Sequence, residues 1–282
     1  MSIVATLATN HALDDLKIFL KSLELWSQAT VYVYADIDVA EFLKSFSYKG
    51  KIVVRSTLDV YSGKTRPQME KIPGKFPGKS LWFEFQMEKL ELLRWVFASE
   101  AAAATSGVFY LDSDICFFGP LPSVPSSCEV AVSPHMIRRR DEALYGKYNA
   151  GYMWVRTEEA VDAWRQACVT SRFFEQAALE IFDSEEWSAR TYKFPVQNNY
   201  GWWRMFQAEL PFGDLQKKWS IFRRADHSGI LVEGSPLQSI HTHWKTGDVT
   251  TATFNRFVKI FLTKLASSHP PAKKLLNIIH GL

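Results

Sequence analysis

Several things are scarce in this chain, and each scarcity excludes something. Its three cysteines, Cys116, Cys128 and Cys168, are odd in number and widely spaced, so neither a disulfide framework nor a zinc ligand set is expected. They read as buried or idle thiols in a reducing compartment. No apolar run is long enough to cross a bilayer, because the stretch from Trp95 to Tyr110 is interrupted by Glu100 and Gly107. Met1-Ser-Ile-Val-Ala lacks the basic region of a signal peptide and runs straight into strand-like sequence. These absences predict a soluble, cytoplasmic protein. A large charge of one sign is missing too: 33 Lys and Arg against 30 Asp and Glu leave a net +3, which argues against a general nucleic-acid binder.

What is present is a globular composition, 47% hydrophobic and 22% charged over 282 residues, with 14% aromatics including ten Trp. Apolar runs at Ser2 to Thr9, Thr30 to Tyr34 and Lys51 to Arg55 read as strands, with a helical pattern between the first two from Asp14 to Trp26. That rhythm predicts an α/β fold with a mostly parallel, doubly wound sheet. Tyr61 to Lys79, rich in Lys, Gly and Pro, reads as a long mobile loop, either a surface insertion or a lid. Ser80 to Ser99 reads as a helix. Gly107 to Leu111 is a buried central strand that delivers Asp112-Ser-Asp114 to its C-terminal end, where ligands of open α/β sheets bind. Strand-like runs follow at Glu129 to Ser133 and Gly151 to Arg156, and Glu158 to Phe182 is mainly helical. Ile230 to Glu233 and Ser239 to His243 are late short strands, and Phe254 to Leu265 is a basic, apolar helix. The expected division is a main domain over residues 1–250 and a C-terminal helical extension over 251–282. That extension either packs on the domain or makes a weak peripheral membrane contact.

Two carboxylates one residue apart in a tight turn can face one site. A hard cation such as Mg²⁺ or Mn²⁺ takes oxygen ligands from them and from a nucleotide diphosphate. By itself Asp-x-Asp is common on solvated turns. Here four apolar residues lead in and Ile-Cys-Phe-Phe leads out; acids in so apolar a setting need compensation, which a metal provides.

Four motifs resemble those of GT-A glycosyltransferases, and more narrowly the glycogenin and lipopolysaccharide galactosyltransferase group. They are Tyr110-Leu-Asp-Ser-Asp-Ile115 with Gly119-Pro-Leu121, Tyr148-Asn-Ala-Gly151, Glu175-Gln-Ala-Ala-Leu179 and Ile240-His-Thr-His-Trp-Lys245. Their order and spacing agree with the family over most of residues 1–250. Glu175 stands where the family has Asp, Glu180 where it has Asn, and the fourth motif lacks the family's Gly and Pro-Trp. The resemblance implies a GT-A, Rossmann-like sheet flanked by helices, with a small late β element and a C-terminal helix. It implies Mn²⁺ or Mg²⁺ on Asp112 and Asp114, and a nucleotide-sugar donor, with UDP-sugar first in line. Thr6, Ala8 and Asn10 would line the base and ribose pocket, and Asp36 is a further ribose candidate. Lys89 would sit over the diphosphate or sugar, and Ser113, between the two acids, is a donor contact. Asn149, Ala150 and Gly151 would form a turn that cradles the sugar, with Glu175 and Gln176 near the anomeric carbon and Lys245 on the diphosphate. His241 is the third metal ligand by motif alignment. His243, two residues along the same run, would face the opposite side, so at most one of the two ligates.

The implied reaction moves the sugar to a glycan hydroxyl, with retention favoured. Gln176 would be the weak nucleophile of a retaining course; Glu175, Asp226 or Asp248 would be the base of an inverting one. Pro195 to Trp203 reads as an acceptor-sugar platform, and Arg138-Arg139-Arg140 as a solvated run or an anion grip. Two rival readings are a sugar-nucleotide nucleotidyltransferase and a Ca²⁺-dependent carbohydrate-binding protein. Against the first, Ala8-Thr-Asn-His-Ala12 lacks a Gly-rich phosphate loop.

Overall fold

A computed structural model describes residues 2–100, 106–223, 228–245 and 247–281. Strands β1 (Ile3–Ala8) and β2 (Thr30–Ala35) are buried at every position. Both are near-continuous apolar runs, as parallel strands covered on two faces must be. β3 (Lys51–Ser56) is half exposed and forms an edge. With β4 (Val108–Leu111), β6 (Val130–Pro134), β7 (Tyr148–Val155) and β8 (Thr191–Lys193), these make a seven-stranded sheet in the order β3-β2-β1-β4-β7-β6-β8. Only β7 runs against its neighbours.

Helix Leu81–Ser99 packs one face of the sheet through Leu90, Leu93 and Val96, beside Val161 and Trp164 of helix Glu158–Thr170. Leu16, Phe19 and Leu20 of helix Leu13–Leu23 pack the other face, with Val39 and Leu43 of helix Ile37–Ser45. The helices start where short polar side chains cap them. Asp36 accepts from the Val39 amide, Ser80 from Phe83, Thr157 from Ala160 and Asp248 from Thr251.

A third core lies under the late elements. β5 (Ile115–Phe117) pairs with β13 (Ser239–His241), which also pairs with β9 (Tyr200–Gly201). Nearby, β10 (Trp219–Arg223), β11 (Ser228–Val232) and β12 (Ser235–Pro236) form a small antiparallel sheet. Where one C-terminal helix is expected there are two, Val249–Ala266 and Pro270–His280. The first turns Phe254, Val258, Leu262 and Leu265 inward, and the second Ala272, Leu275 and Ile279. Pro270 and Pro271 begin the second helix, where a missing N–H costs nothing. No described helix is long and apolar enough to cross a membrane.

Two other expectations change. The 61–79 segment is not a featureless loop: it carries helix Arg66–Met69, held by a Thr65–Gln68 capping box. Asn149-Ala-Gly151 is not a turn but lies inside β7, at a bulge. Ser133 pairs with Asn149 while Val132 pairs with Met153, so three β7 residues are looped out against β6.

His135 offers a test of the packing. It is buried, its ring Nδ1 lies 3.1 Å from the Gly146 carbonyl, and burial pushes its pKa from 6.5 down to about 4. Between those two pH values the unfolded chain holds the extra proton, so stability is full above pH 6.5 and falls as pH drops towards 4. The loss attributable to this residue is at most roughly 3 kcal/mol. Urea unfolding at stepped pH should show a shallower decline for His135→Gln than for the parent; parallel declines would refute the assignment.

Candidate functional site

β4 ends at Leu111 and the chain turns. The Asp112 amide donates to the Gly151 carbonyl at 2.8 Å and the Ile115 amide to the Asp112 carbonyl at 3.2 Å. The chain then re-enters as β5, whose Ile115 lies opposite His241 of β13, and the Thr242 amide donates to the Asp114 carbonyl at 3.0 Å. Strand register therefore carries His241, more than a hundred residues away, to the Asp-x-Asp turn. His241 Nε2 lies 3.0 Å from Asp114 Oδ1 and 3.9 Å from Asp112 Oδ2. One ligand atom from each of Asp112, Asp114 and His241 falls within 4.8 Å of the others.

The donor set suits a cation. His241 Nδ1 is 3.1 Å from Asn199 Oδ1. The Asn199 amide nitrogen is directed elsewhere, donating at 3.0 Å to both Ser133 Oγ and Asn149 Oδ1. Asn199 therefore presents an acceptor and His241 donates from Nδ1, which leaves Nε2 facing the two carboxylates. That nitrogen and the two carboxylates would serve together as ligands of a divalent ion. Space for their convergence comes from Gly151, where a Cβ would stand 2.2 Å from Asp112 Oδ2 and 2.5 Å from His241 Cε1.

Asp114 is well paired. Burial alone raises its pKa, but His241 and His243 outweigh that and hold the carboxyl well below its usual range. His243 is no longer on the strand, since β13 stops at His241, so the expected alternation of faces does not apply. Its Nε2 is 3.5 Å from Asp114 Oδ2 and its Nδ1 2.8 Å from Asp15 Oδ2. The Asp114 charge, with the Asp15 hydrogen bond, raises its pKa to about 9, so His243 is a cation paired to two acids.

Beside this cluster lies a cavity of about 1020 Å³. Ala8 at the end of β1, with Thr9 and His11 after it, lines one part, Asp112 to Asp114 and Gly151 another, and Lys64 to Pro67 with Trp82, Phe85, Phe173 and Phe174 a third. A smaller apolar cavity of about 250 Å³, under the C-terminal helices, contains none of the sequence-predicted site residues.

No protein-family model matches the sequence, and no curated protein matches it. Solved structures do match. The chain is similar to the galactosyltransferase LgtC in complex with donor and acceptor sugar analogues, at a TM-score of 0.55 and 12% identity, covering 91% of this chain and 94% of that one. It is similar to the WbbM bifunctional glycosyltransferase at 0.54 and 11%, covering 98% of this chain and 51% of that one. The apo-form glycosyltransferase GlyE of Streptococcus pneumoniae TIGR4 gives 0.50 and 12%, covering 94% of this chain and 63% of that one. The fold is GT-A. At such low identity the likeness is one of fold, and the chemistry must come from the residues.

Within the GT-A frame, Ala8, Lys89, Asp112, Ser113, Asp114, Gly151, Glu175, Gln176, His243 and Asp248 line the main cavity. Buried Lys89 lies 2.8 Å from Glu175 Oε1 and 3.4 Å from Asp112 Oδ1. Burial opposes the Lys89 charge, but the two acids raise its pKa overall. The Gln176 side-chain nitrogen donates to the Tyr145 carbonyl at 2.8 Å.

Other predicted residues have different roles. Asp36 is fully buried and does not line the cavity; its carboxylate accepts from the Val39 and Asn10 amides and from Ser62 Oγ. A free ribose contact is thereby replaced by a helix cap. Asn10 ties Asp38 to the Gly63 amide, Thr6 is interior, and Lys245 is exposed away from the cavity lining. Asn149 and Ala150 are buried behind the cavity, Asn149 accepting from the Gly151 amide at 3.2 Å. Asp226 lies outside the described residues. Pro195 to Trp203 is no open platform: Gln197, Asn198, Asn199, Tyr200 and Trp203 are buried and brace the site from behind. Trp203 packs edge-on against His241 at 4.9 Å, and the buried Arg204 Nε donates to the Asn199 carbonyl at 2.9 Å. Sequence reasoning missed Asn199 as the residue that orients His241; its only local signal was a paired Asn in a polar, aromatic stretch.

Proposed function

We propose that this chain is a metal-dependent glycosyltransferase, taking a sugar from a nucleoside diphosphate, UDP in the first instance, and passing it to a glycan hydroxyl. The observation that carries the reading is the convergence of Asp112, Asp114 and buried His241 at the C-terminal end of a GT-A central strand, with Asp112 and Asp114 on the wall of the 1020 Å³ cavity. The cavity has room for a donor and an acceptor together, and LgtC was solved with analogues of both. Asp112, Asp114 and His241 would hold Mn²⁺ or Mg²⁺, which supplies positive charge for the departing diphosphate. His243, cationic between Asp15 and Asp114, adds charge at the same place. Lys89 neutralises Glu175 and Asp112 and keeps both fixed beside the sugar.

Retention is the favoured stereochemical course, because the two candidate inverting bases among the described residues, Glu175 and Asp248, are engaged. Glu175 is locked to Lys89, and Asp248 accepts from the Thr251 amide at the start of helix Val249–Ala266. Gln176 is then the group left beside the anomeric carbon. LgtC was also solved as an active-site Gln-to-Glu mutant, which matches this chain at a TM-score of 0.52 and 11% identity.

Calorimetric titration of UDP with and without Mn²⁺ tests the proposal. Wild-type binding should depend on the metal, and Asp114→Ala should abolish that dependence. Metal-independent UDP binding by the wild type, or none at all, overturns the reading.

A further inference from the structure

The positive charge of this chain is not spread evenly. Residues 61–80 hold Lys64, Arg66, Lys71, Lys75 and Lys79 against Glu70 alone, a net +4, while the whole chain is +3. The remaining residues together are therefore slightly acidic. This basic segment forms the rim of the main cavity through Lys64, Thr65, Arg66 and Pro67.

Arg66 stands at a junction. Its guanidinium lies 5.3 Å from the Trp82 ring, 6.0 Å from Phe173 and 5.9 Å from Phe174. Phe174 adopts φ 43°, a left-handed backbone that a bulky residue rarely accepts, and it lines the cavity beside Glu175. Beyond this wall lies a further cavity of about 310 Å³, sharing Arg66, Phe173 and Phe174 with the first. Its other lining residues include Lys79, Arg172, Ser80 and Ser171, with Glu70 as the one acid. Arg172 is engaged by Glu180 at 2.7 and 2.8 Å, and Arg66 Nε by Glu70 at 2.7 Å. Lys79 has a ring contact with Phe83 but no acidic partner among the described residues. A concave basic pocket with hydroxyls, joined by an aromatic wall to a sugar-sized cavity, suits an anionic group carried on a saccharide.

We infer that the acceptor is an acidic saccharide, bearing a phosphate or carboxylate that occupies the basic cavity beyond Arg66 while a neighbouring ring rests on Trp82 and Phe85. This rests on the transferase reading above. The same segment exposes Ile72 and Phe76, so an anionic bilayer is the competing ligand. The concavity, and the wall shared with the main cavity, favour the saccharide.

The experiment uses the full chain with Mn²⁺, with and without UDP, and calorimetric titration of matched probes. These are hyaluronan tetrasaccharide against chitotetraose, and glucose 6-phosphate against glucose. An acidic member should bind about tenfold tighter than its neutral match, the scale of one charge-assisted contact. Lys79→Gln should remove most of that difference and leave UDP–Mn²⁺ affinity unchanged. Equal affinity for acidic and neutral probes, no binding of either, or an acidic preference untouched by both Lys79→Gln and Arg66→Gln overturns the inference. So does co-sedimentation in which Lys79→Gln weakens binding only to phosphatidylglycerol-containing phosphatidylcholine vesicles. Failure of the transferase reading shows separately, as absent UDP–Mn²⁺ binding in the same titrations with acidic-saccharide binding intact.

Discussion

Gly151→Ala is expected to reduce metal-dependent UDP binding by about a hundredfold or more, the upper end of what disturbing a ligand set costs. The added methyl would stand 2.2 Å from Asp112 Oδ2, 2.8 Å from its Cγ and 2.5 Å from His241 Cε1. None of the three can yield cheaply. The Asp112 amide is bonded to the Gly151 carbonyl, and its carboxylate is fixed by Tyr110 Oη at 2.8 Å and by Lys89. His241 is held by Asn199 on one side and packed by Trp203 on another. The strand itself is buried along its whole length. A local displacement of about an ångström therefore falls on two of the three proposed ligands at once. The chain should still fold, because the clash is at the site and not within the helix-to-sheet cores. Calorimetry with UDP and Mn²⁺, alongside a urea melt, separates the two effects. Near wild-type affinity in Gly151→Ala would show that Asp112 and His241 do not act together on a metal.

The same position shows what could be read from the sequence and what could not. The Asp-x-Asp turn was legible because its determinants are local: a buried apolar run, two acids and a break. The parallel half of the sheet was legible for the same reason, since β1 and β2 are continuous apolar runs. Asn149-Ala-Gly151 is visible as a motif but reads locally as a turn, because a bulge depends on the register between β6 and β7, which neither strand encodes alone. The expectation that His243 faces away from His241 fails, because β13 stops at His241 and His243 lies beside Asp114 as well. Asp36 carried the pattern of a ligand contact, an acid after a strand, and an N-cap follows the same pattern. Asn199 was the hardest to see. Its importance lies in three hydrogen bonds to residues between 42 and 66 positions away, and no local pattern announces them.

Lys89→Met is expected to destabilise the fold by about 3–5 kcal/mol, the cost of removing one partner from a buried ion pair. Lys89 and Glu175 are each nearly inaccessible, and Lys89 also faces Asp112 and lies 5.2 Å above the Tyr110 ring. Methionine matches the aliphatic stem but leaves the carboxylates of Glu175 and Asp112 without their shared cation. Burial already raises the Glu175 pKa, with Lys89 the chief opposing influence, so its removal raises that pKa further. An acid whose folded pKa lies above its unfolded value favours the fold when protonated. The variant should therefore regain stability as pH falls through the folded pKa of Glu175 towards its unfolded value of 4.5. In the parent, where Lys89 offsets much of the burial, that recovery should be weaker. Lys89→Met combined with Glu175→Leu should recover much of the loss at neutral pH, since apolar replacement of both partners leaves no buried charge of the pair unmet. Neither variant is expected to bind donor normally, because the pair lines the proposed sugar site. Urea unfolding of both single variants and the double at neutral and acidic pH completes the cycle. A loss below about 1 kcal/mol for Lys89→Met, or no recovery in the double, would mean that the pair is solvated and does not organise the site.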